Sequence, residues 1–289
     1  MHYEGNMIRP PSEAYSILLQ ATVGCSHNKC TFCGAYKGEW FKIKSDDIIL
    51  ADIAFAARYC RNQDRLFICD GDALIIPQKR LLAILKEIEQ KLPWVKRVGV
   101  YANTKGIAMK SAEELAELRA HGLKIAYMGL ESGDDETLKA VNKGADSQKM
   151  IDMGKKIRTA GVALSITVLL GLAGRERSGI HAQKTGEVLS AIDPEYVGAL
   201  SLMLIPGTPL YDEYEAGRFP ILTPEETLAE LRTMITHTNL TNGLFHANHA
   251  SNYLPIRAKL PEDKAKTLRL INQALAGKVA LKPEHMRAL

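Results

Sequence analysis

The sequence predicts an α/β fold on a parallel sheet, and three observations lead there. Six short runs rich in Val, Ile, Leu, Tyr and Phe alternate with six helical patterns. Several of these runs are apolar along their whole length, as strands covered on both faces are. Strand–helix units in series pair in parallel through right-handed crossovers, and they wind either into a doubly wound open sheet or into a (β/α)6 barrel.

The elements follow in order. A first strand is expected over 16–24 and a first helix over 46–61, where Ser45 precedes Asp46 and Asp47 as a start signal. Strand 65–72 leads to helix 77–91. Strand 97–103 leads to helix 111–121, which opens on Ser111-Ala-Glu-Glu and closes at Gly122. Strand 124–133 is followed by helix 147–160, closed by Gly161, and strand 163–174 by helix 181–192. Strand 196–205 is the sixth. Composition shifts near 217–220, and beyond it the pattern turns helical, beginning with 224–237. There Thr223-Pro224-Glu225-Glu226 puts proline at the first helical position. Residues 1–215 therefore read as the core, and 216–289 as a mostly helical extension packed on it.

The chain has 289 residues, 46% hydrophobic and 24% charged, the composition of a globular protein with a sizeable core. Its net charge is +4 with no basic stripe, which argues against a nucleic-acid binder; the densest basic feature is Lys37, Lys42 and Lys44. The start of the chain is polar, and no apolar run has the length of a membrane span. A cytoplasmic protein that does not engage membranes is expected. Five cysteines in a chain this long do not make a disulfide framework; clustered ones suggest metal or redox chemistry.

Cys25, Cys30 and Cys33 fall within nine positions of one loop directly after the first strand. Closely spaced thiolates are the ligands of iron–sulfur clusters. Three of them on a four-iron cube leave one iron open to another ligand. Structural zinc is the competing reading, with His27 as fourth ligand, but a tetrahedron is awkward to close within so short a loop. Cys60 and Cys69 read as ordinary buried cysteines.

This loop, placed after strand one of a β-α series, resembles that of the radical S-adenosylmethionine (radical SAM) superfamily, whose usual signature is C-x3-C-x-aromatic-C. Here four residues separate Cys25 from Cys30, while Phe32 stands as the aromatic before Cys33. The resemblance implies a partial (β/α)6 TIM-like barrel. It also implies a [4Fe–4S] cluster on the three cysteines, with S-adenosylmethionine chelating the open iron. Reductive cleavage of that cofactor then gives a 5′-deoxyadenosyl radical, which abstracts hydrogen from a substrate. A reductant such as flavodoxin or ferredoxin is implied as a partner.

Strand ends supply the matching motifs, as (β/α) folds place their sites there. Asp70-Gly71-Asp72 resembles the family's Gly-Gly-Glu motif, which holds the methionine amino group; glycine permits close approach and a carboxylate suits an ammonium. Asn103 ends strand three and can bond a carboxylate or hydroxyl. Gly129-Leu130-Glu131-Ser132 looks like a segment of the methylthiotransferase, Elongator and coproporphyrinogen-oxidase branch, implying that Glu131 and Ser132 face the ribose or the methionine end. Gly171-Leu172-Ala173-Gly174-Arg175 resembles the glycine-rich segment beside adenine, with Arg175 able to pair with a carboxylate. Ile205, before Pro-Gly-Thr-Pro, is expected to close over adenine. In the extension, His249, Asn252 and Tyr253 are the candidates for catalytic contact with substrate, because polar groups cluster there beside Leu254-Pro255-Ile256.

A small molecule is the preferred substrate. RNA modification is the alternative that the branch resemblance suggests, and a non-enzymatic iron–sulfur or zinc protein is the other.

Overall fold

The near-continuous apolar runs form parallel strands, as their lack of a polar face requires. The computed structural model describes residues 1–288. By its contacts the chain divides into two units: residues 1–28, 35–128 and 153–164 in the first, and residues 29–34, 129–152 and those from Ser165 onward in the second.

The first unit carries β1 (Ile17–Leu19), β2 (Thr22–Val23), β3 (Lys42–Ile43), α1 (Asp46–Tyr59), β4 (Arg65–Ile68), α2 (Gln78–Lys91), β5 (Arg97–Ala102), α3 (Thr104–Ala108), α4 (Ala112–Ala120) and most of β6 (Leu123–Glu131). Strands β1, β4, β5 and β6 lie side by side in that order, all parallel, with Ile17 beside Leu66, Leu66 beside Val98 and Tyr101 beside Tyr127. The expected strand 16–24 is split: β1 joins this sheet, whereas β2 turns away to pair antiparallel with β3. Phe67, Cys69, Ile125 and Tyr127 form a buried cluster, and the rings of Tyr101 and Tyr127 meet Phe67 edge-on at 5.0 and 5.6 Å. Cys69 is buried as expected; Cys60, at the end of α1, is only half-buried.

The second unit carries α5 (Asp135–Ala140), the start of α6 (Ser147–Thr159), nearly all of β7 (Ala163–Leu170), α7 (Gly174–Ile192), β8 (Tyr196–Ser201), α8 (Pro209–Glu215), α9 (Pro224–His237), β9 (Gly243–Ala247), β10 (Ile256–Leu260) and α10 (Lys264–Leu275). Here β7, β8 and β9 are parallel neighbours and β10 closes antiparallel on β9. The extension is mostly helical, through α9 and α10, and it also adds two strands that the sequence did not lead one to expect. The reason is visible in β10, where Ile256, Ala258 and Leu260 are buried while Arg257 and Lys259 are exposed, a period of two. Strand 163–174 stops at Leu170, and α7 begins seven residues before the expected 181, at Gly174 (φ +66°).

Local signals explain the helix ends. Ser111 and Thr223 each accept from the backbone of Glu114 and Glu226 respectively, while those glutamates bond back to the cap amides. Ser45 precedes α1 in extended conformation without a side-chain cap bond. Gly122 and Gly161 close their helices at φ +97° and +75°.

Candidate functional site

The cysteine loop is fastened by backbone and packing. Gly24 turns the chain at φ +78° and accepts from the Gly71 amide at 3.0 Å. A β-carbon on Gly71 would stand 2.7 Å from Cβ and 2.8 Å from Cα of Cys25. Only glycine allows the end of β4 to back this cysteine so closely. Further along, the Thr31 amide donates to Val141 and its carbonyl accepts from Leu210, both at 3.0 Å, while the Cys33 amide closes a turn on Cys30. Phe32 packs against Val141, Leu172 and Leu210. A β-carbon on Gly34 would lie 2.6 Å from Ile205 Cγ2, so Ile205 covers this part of the loop.

Cys25, Cys30 and Cys33 are all half-buried and in no disulfide. Among the described residues no group of three or more His, Cys, Asp or Glu side chains is already gathered around one point. The donor chemistry, three accessible thiols on one braced loop with a glycine cradle behind Cys25, suits an iron–sulfur cluster.

The strand ends of the first unit place the predicted acids differently. Asp70 takes a left-handed conformation, φ +73°, that turns its carboxylate inward. It accepts from Gln20 Nε2 at 2.6 Å and from the Tyr36 hydroxyl at 3.4 Å, and burial pushes its pKa up. Asp72 faces the cysteine loop: Ser26 Oγ donates to its Oδ2 at 2.8 Å, and Asn103 Nδ2 donates to the same Ser26 hydroxyl at 2.9 Å. The other oxygen, Oδ1, is buried without a hydrogen-bond partner, and burial raises the carboxyl to about 6. Asn103 also caps α3 by accepting from the Gly106 amide. Asp72, Asn103 and Ser26 thus tie two strand ends to the residue after Cys25.

In the second unit Glu131 ends β6 at φ +64°. Its side chain folds over Gly129, where a β-carbon would come within 2.1 Å of Oε1, and pairs with Lys143 Nζ at 2.9 Å. Ser132 is fully buried and bonds His181 Nδ1 at 2.7 Å. Gly171, at φ +82°, donates its amide to Glu230 Oε1 at 2.6 Å. Leu172 lies in the apolar cluster with Phe32. Arg175 is half exposed and turns aside to an ion pair with Glu226 at 2.8 Å.

A cavity of about 260 Å³ opens in the second unit at the ends of β7 and β8. Leu202, Leu204, Tyr214 and Ile221 make its apolar side, and Tyr253, Glu284 and Arg287 its polar end. Of the three residues named in the extension, only Tyr253 reaches it. Asn252 spends its amide on β8, accepting from Ser201 Oγ and donating to the Ala199 carbonyl, both at 2.8 Å. His249 caps its own turn through Ser251, at 2.9 Å.

Sequence reasoning missed Lys143, His181, Glu230, Glu284 and Arg287. Glu230 carried a signal, since it shares the helical face of Thr227, Leu231 and Met234, all of which are buried. Arg287 carried none beyond a local pair with Glu284, because its other partners lie 34 to 85 residues away.

A family model described as the radical SAM superfamily matches residues 19–180. The uncharacterized protein YtqA of Bacillus subtilis (strain 168) is 22% identical over 205 residues, which are 70% of this chain and 63% of that one. Methylornithine synthase (PylB) shares the fold with a TM-score of 0.54 at 15% identity, over 78% of this chain and 63% of its own. Coproporphyrinogen III oxidase (HemN) from Escherichia coli gives 0.57 at 14% identity, over 76% and 51%. The chain spans less than two thirds of each. The structural likeness decides between the two windings open to the sequence in favour of the partial (β/α) barrel.

Proposed function

This chain belongs to the radical SAM superfamily, and from that premise we propose that it acts on a small-molecule substrate by hydrogen abstraction. Members of the superfamily are enzymes that bind a [4Fe–4S] cluster and S-adenosylmethionine. Bound together, these supply a one-electron reductive cleavage that yields a 5′-deoxyadenosyl radical.

The observation that carries the reading is the loop with Cys25, Cys30 and Cys33, braced from behind by Gly71 and by the Ser26–Asp72–Asn103 bonds. The three thiolates are the cluster ligands. Of the two acids after β4, we assign Asp72 to the methionine amino group, because Asp70 is engaged with Gln20 and Tyr36. Glu131, held by Lys143, serves the ribose or methionine end, and the Gly171 loop with Ile205 serves the adenine. Residues 1–215 make up the radical core in this reading. The extension from 216 supplies Tyr253, Glu284 and Arg287 to a cavity whose volume and apolar side suit a metabolite.

The test is anaerobic reconstitution with iron and sulfide, followed by dithionite and S-adenosylmethionine. Formation of 5′-deoxyadenosine is expected from the wild type and not from C25A, C30A or C33A. A fully loaded protein that yields no cleavage product sinks the reading. RNA binding that falls steeply with salt would move the substrate from metabolite to nucleic acid.

A further inference from the structure

A buried polar chain runs behind two of the assigned cofactor loops in the second unit. Ser132 Oγ accepts from the Asp134 amide at 3.0 Å and shares a hydrogen bond with His181 Nδ1 at 2.7 Å. The other ring nitrogen, Nε2, lies 3.5 Å from Glu230 Oε1 and has no hydrogen-bond partner. Glu230 Oε1 takes the Gly171 amide at 2.6 Å, and Oε2 takes the Ser178 hydroxyl at 2.5 Å. The side chains of His181 and Glu230 are wholly buried.

We propose that Glu230 is a positioning residue, whose carboxylate holds the Gly171 loop in the conformation that receives the nucleoside of S-adenosylmethionine. The proposal rests on the assignment of that loop to the cofactor. Two donors, the Gly171 amide and the Ser178 hydroxyl, converge on the carboxylate, and charge-assisted bonds are the stronger ones, so its ionised form holds the loop more firmly. Ser132 carries the same chain to the residue beside Glu131. Glu230 reaches the cofactor only through the backbone it pins.

Burial pushes Glu230 up to about 7 and His181 down to about 4. Despite their approach, the two therefore do not form an ion pair at neutral pH: the imidazole is neutral, and the carboxyl titrates near 7. The other charged groups facing the pair are Asp134, which acts on His181, and Arg177, which pairs with Asp134 at 2.9 Å. Because the folded pKa of Glu230 lies above its ordinary value, burial favours the protonated form. Its contribution to stability is present below the ordinary carboxylate range and is lost as pH rises through about 7. Loop positioning has the opposite sign and strengthens over the same interval.

The experiment compares wild type, Glu230→Gln and Ser178→Ala. In ligand-free protein, hydrogen exchange of the 170–174 segment is expected to be faster in Glu230→Gln. The melting temperature of the wild type should fall, relative to that variant, between pH 5 and pH 8. In the reconstituted, unreduced protein, S-adenosylmethionine affinity should tighten roughly fivefold as pH rises through 7 in the wild type, the difference between a neutral and a charge-assisted bond. That course should be flat in Glu230→Gln. In Ser178→Ala, where the carboxylate has lost a donor, its midpoint should move to higher pH. Unchanged exchange, or the same pH course in all three proteins, overturns the proposal. If the wild type binds no S-adenosylmethionine, the assignment of the loop fails instead, and exchange still decides whether Glu230 pins it.

Discussion

Gly71 leaves no room for a β-carbon, and what it would strike is the backbone and Cβ of Cys25 rather than the end of a flexible side chain. Gly71→Ala should therefore push the cluster loop off β4. The expected cost is about 1–3 kcal/mol in urea unfolding of the ligand-free protein, the range for overpacking, together with reduced iron per chain. Full iron loading at unchanged stability would show that the close approach does not hold the loop. Residue types at this scale were well marked in the sequence: three thiols, the glycine after Asp70, Asn103 and Glu131 all stand at strand or loop ends. What each side chain does there was not marked. Asp70 and Asp72 are two residues apart, and a left-handed φ at Asp70 sends one inward to Gln20 while the other meets Ser26. Arg175 reads as a ligand-binding arginine until Glu226 is seen to take it.

Elements were legible wherever local chemistry decides them. Helix α9 runs over the predicted residues because Thr223, Pro224 and Glu226 satisfy its first turn without help from elsewhere. Thr223→Ala should lower stability by about 1 kcal/mol, the usual cost of an N-cap, and Thr223→Ser should recover most of it; equal urea midpoints for the three proteins would show that the capping box contributes nothing. Strands β9 and β10 went unread because polar residues of the 245–257 stretch drew attention to chemistry, although Ile256, Ala258 and Leu260 alternate inward. The division of the first strand into β1 and β2 has no local signal, since it depends on β3 arriving twenty residues later.

At the scale of the molecule, Arg287 is the side chain that makes the most bonds between the C-terminal segment and the rest of its unit. Arg287 donates to the Leu202 and Ser251 carbonyls at 3.0 and 2.6 Å and to the Tyr253 hydroxyl at 2.7 Å, and its guanidinium lies 4.3 Å from the Tyr253 ring centroid. Arg287→Ala should cost about 2–4 kcal/mol, because bonds from a charged donor contribute ~1.5–3 kcal/mol each and relaxation recovers part of them. It should also expose the 278–286 segment to protease; a resistant segment would refute the clamp. The sequence alone determined the class of the fold, the order of its strand–helix units, the three thiols and the family to which they point. Those follow from periodicity, caps and spacing, which are properties of neighbours along the chain. Tertiary structure alone decided which acid faces the cysteine loop, that Asn252 braces β8, that Arg287 borders a cavity and that Glu230 and His181 lie behind the Ser132 and Gly171 loops. Each of these is a contact between residues far apart in sequence, made only after loop closure, and no local pattern encodes its partner.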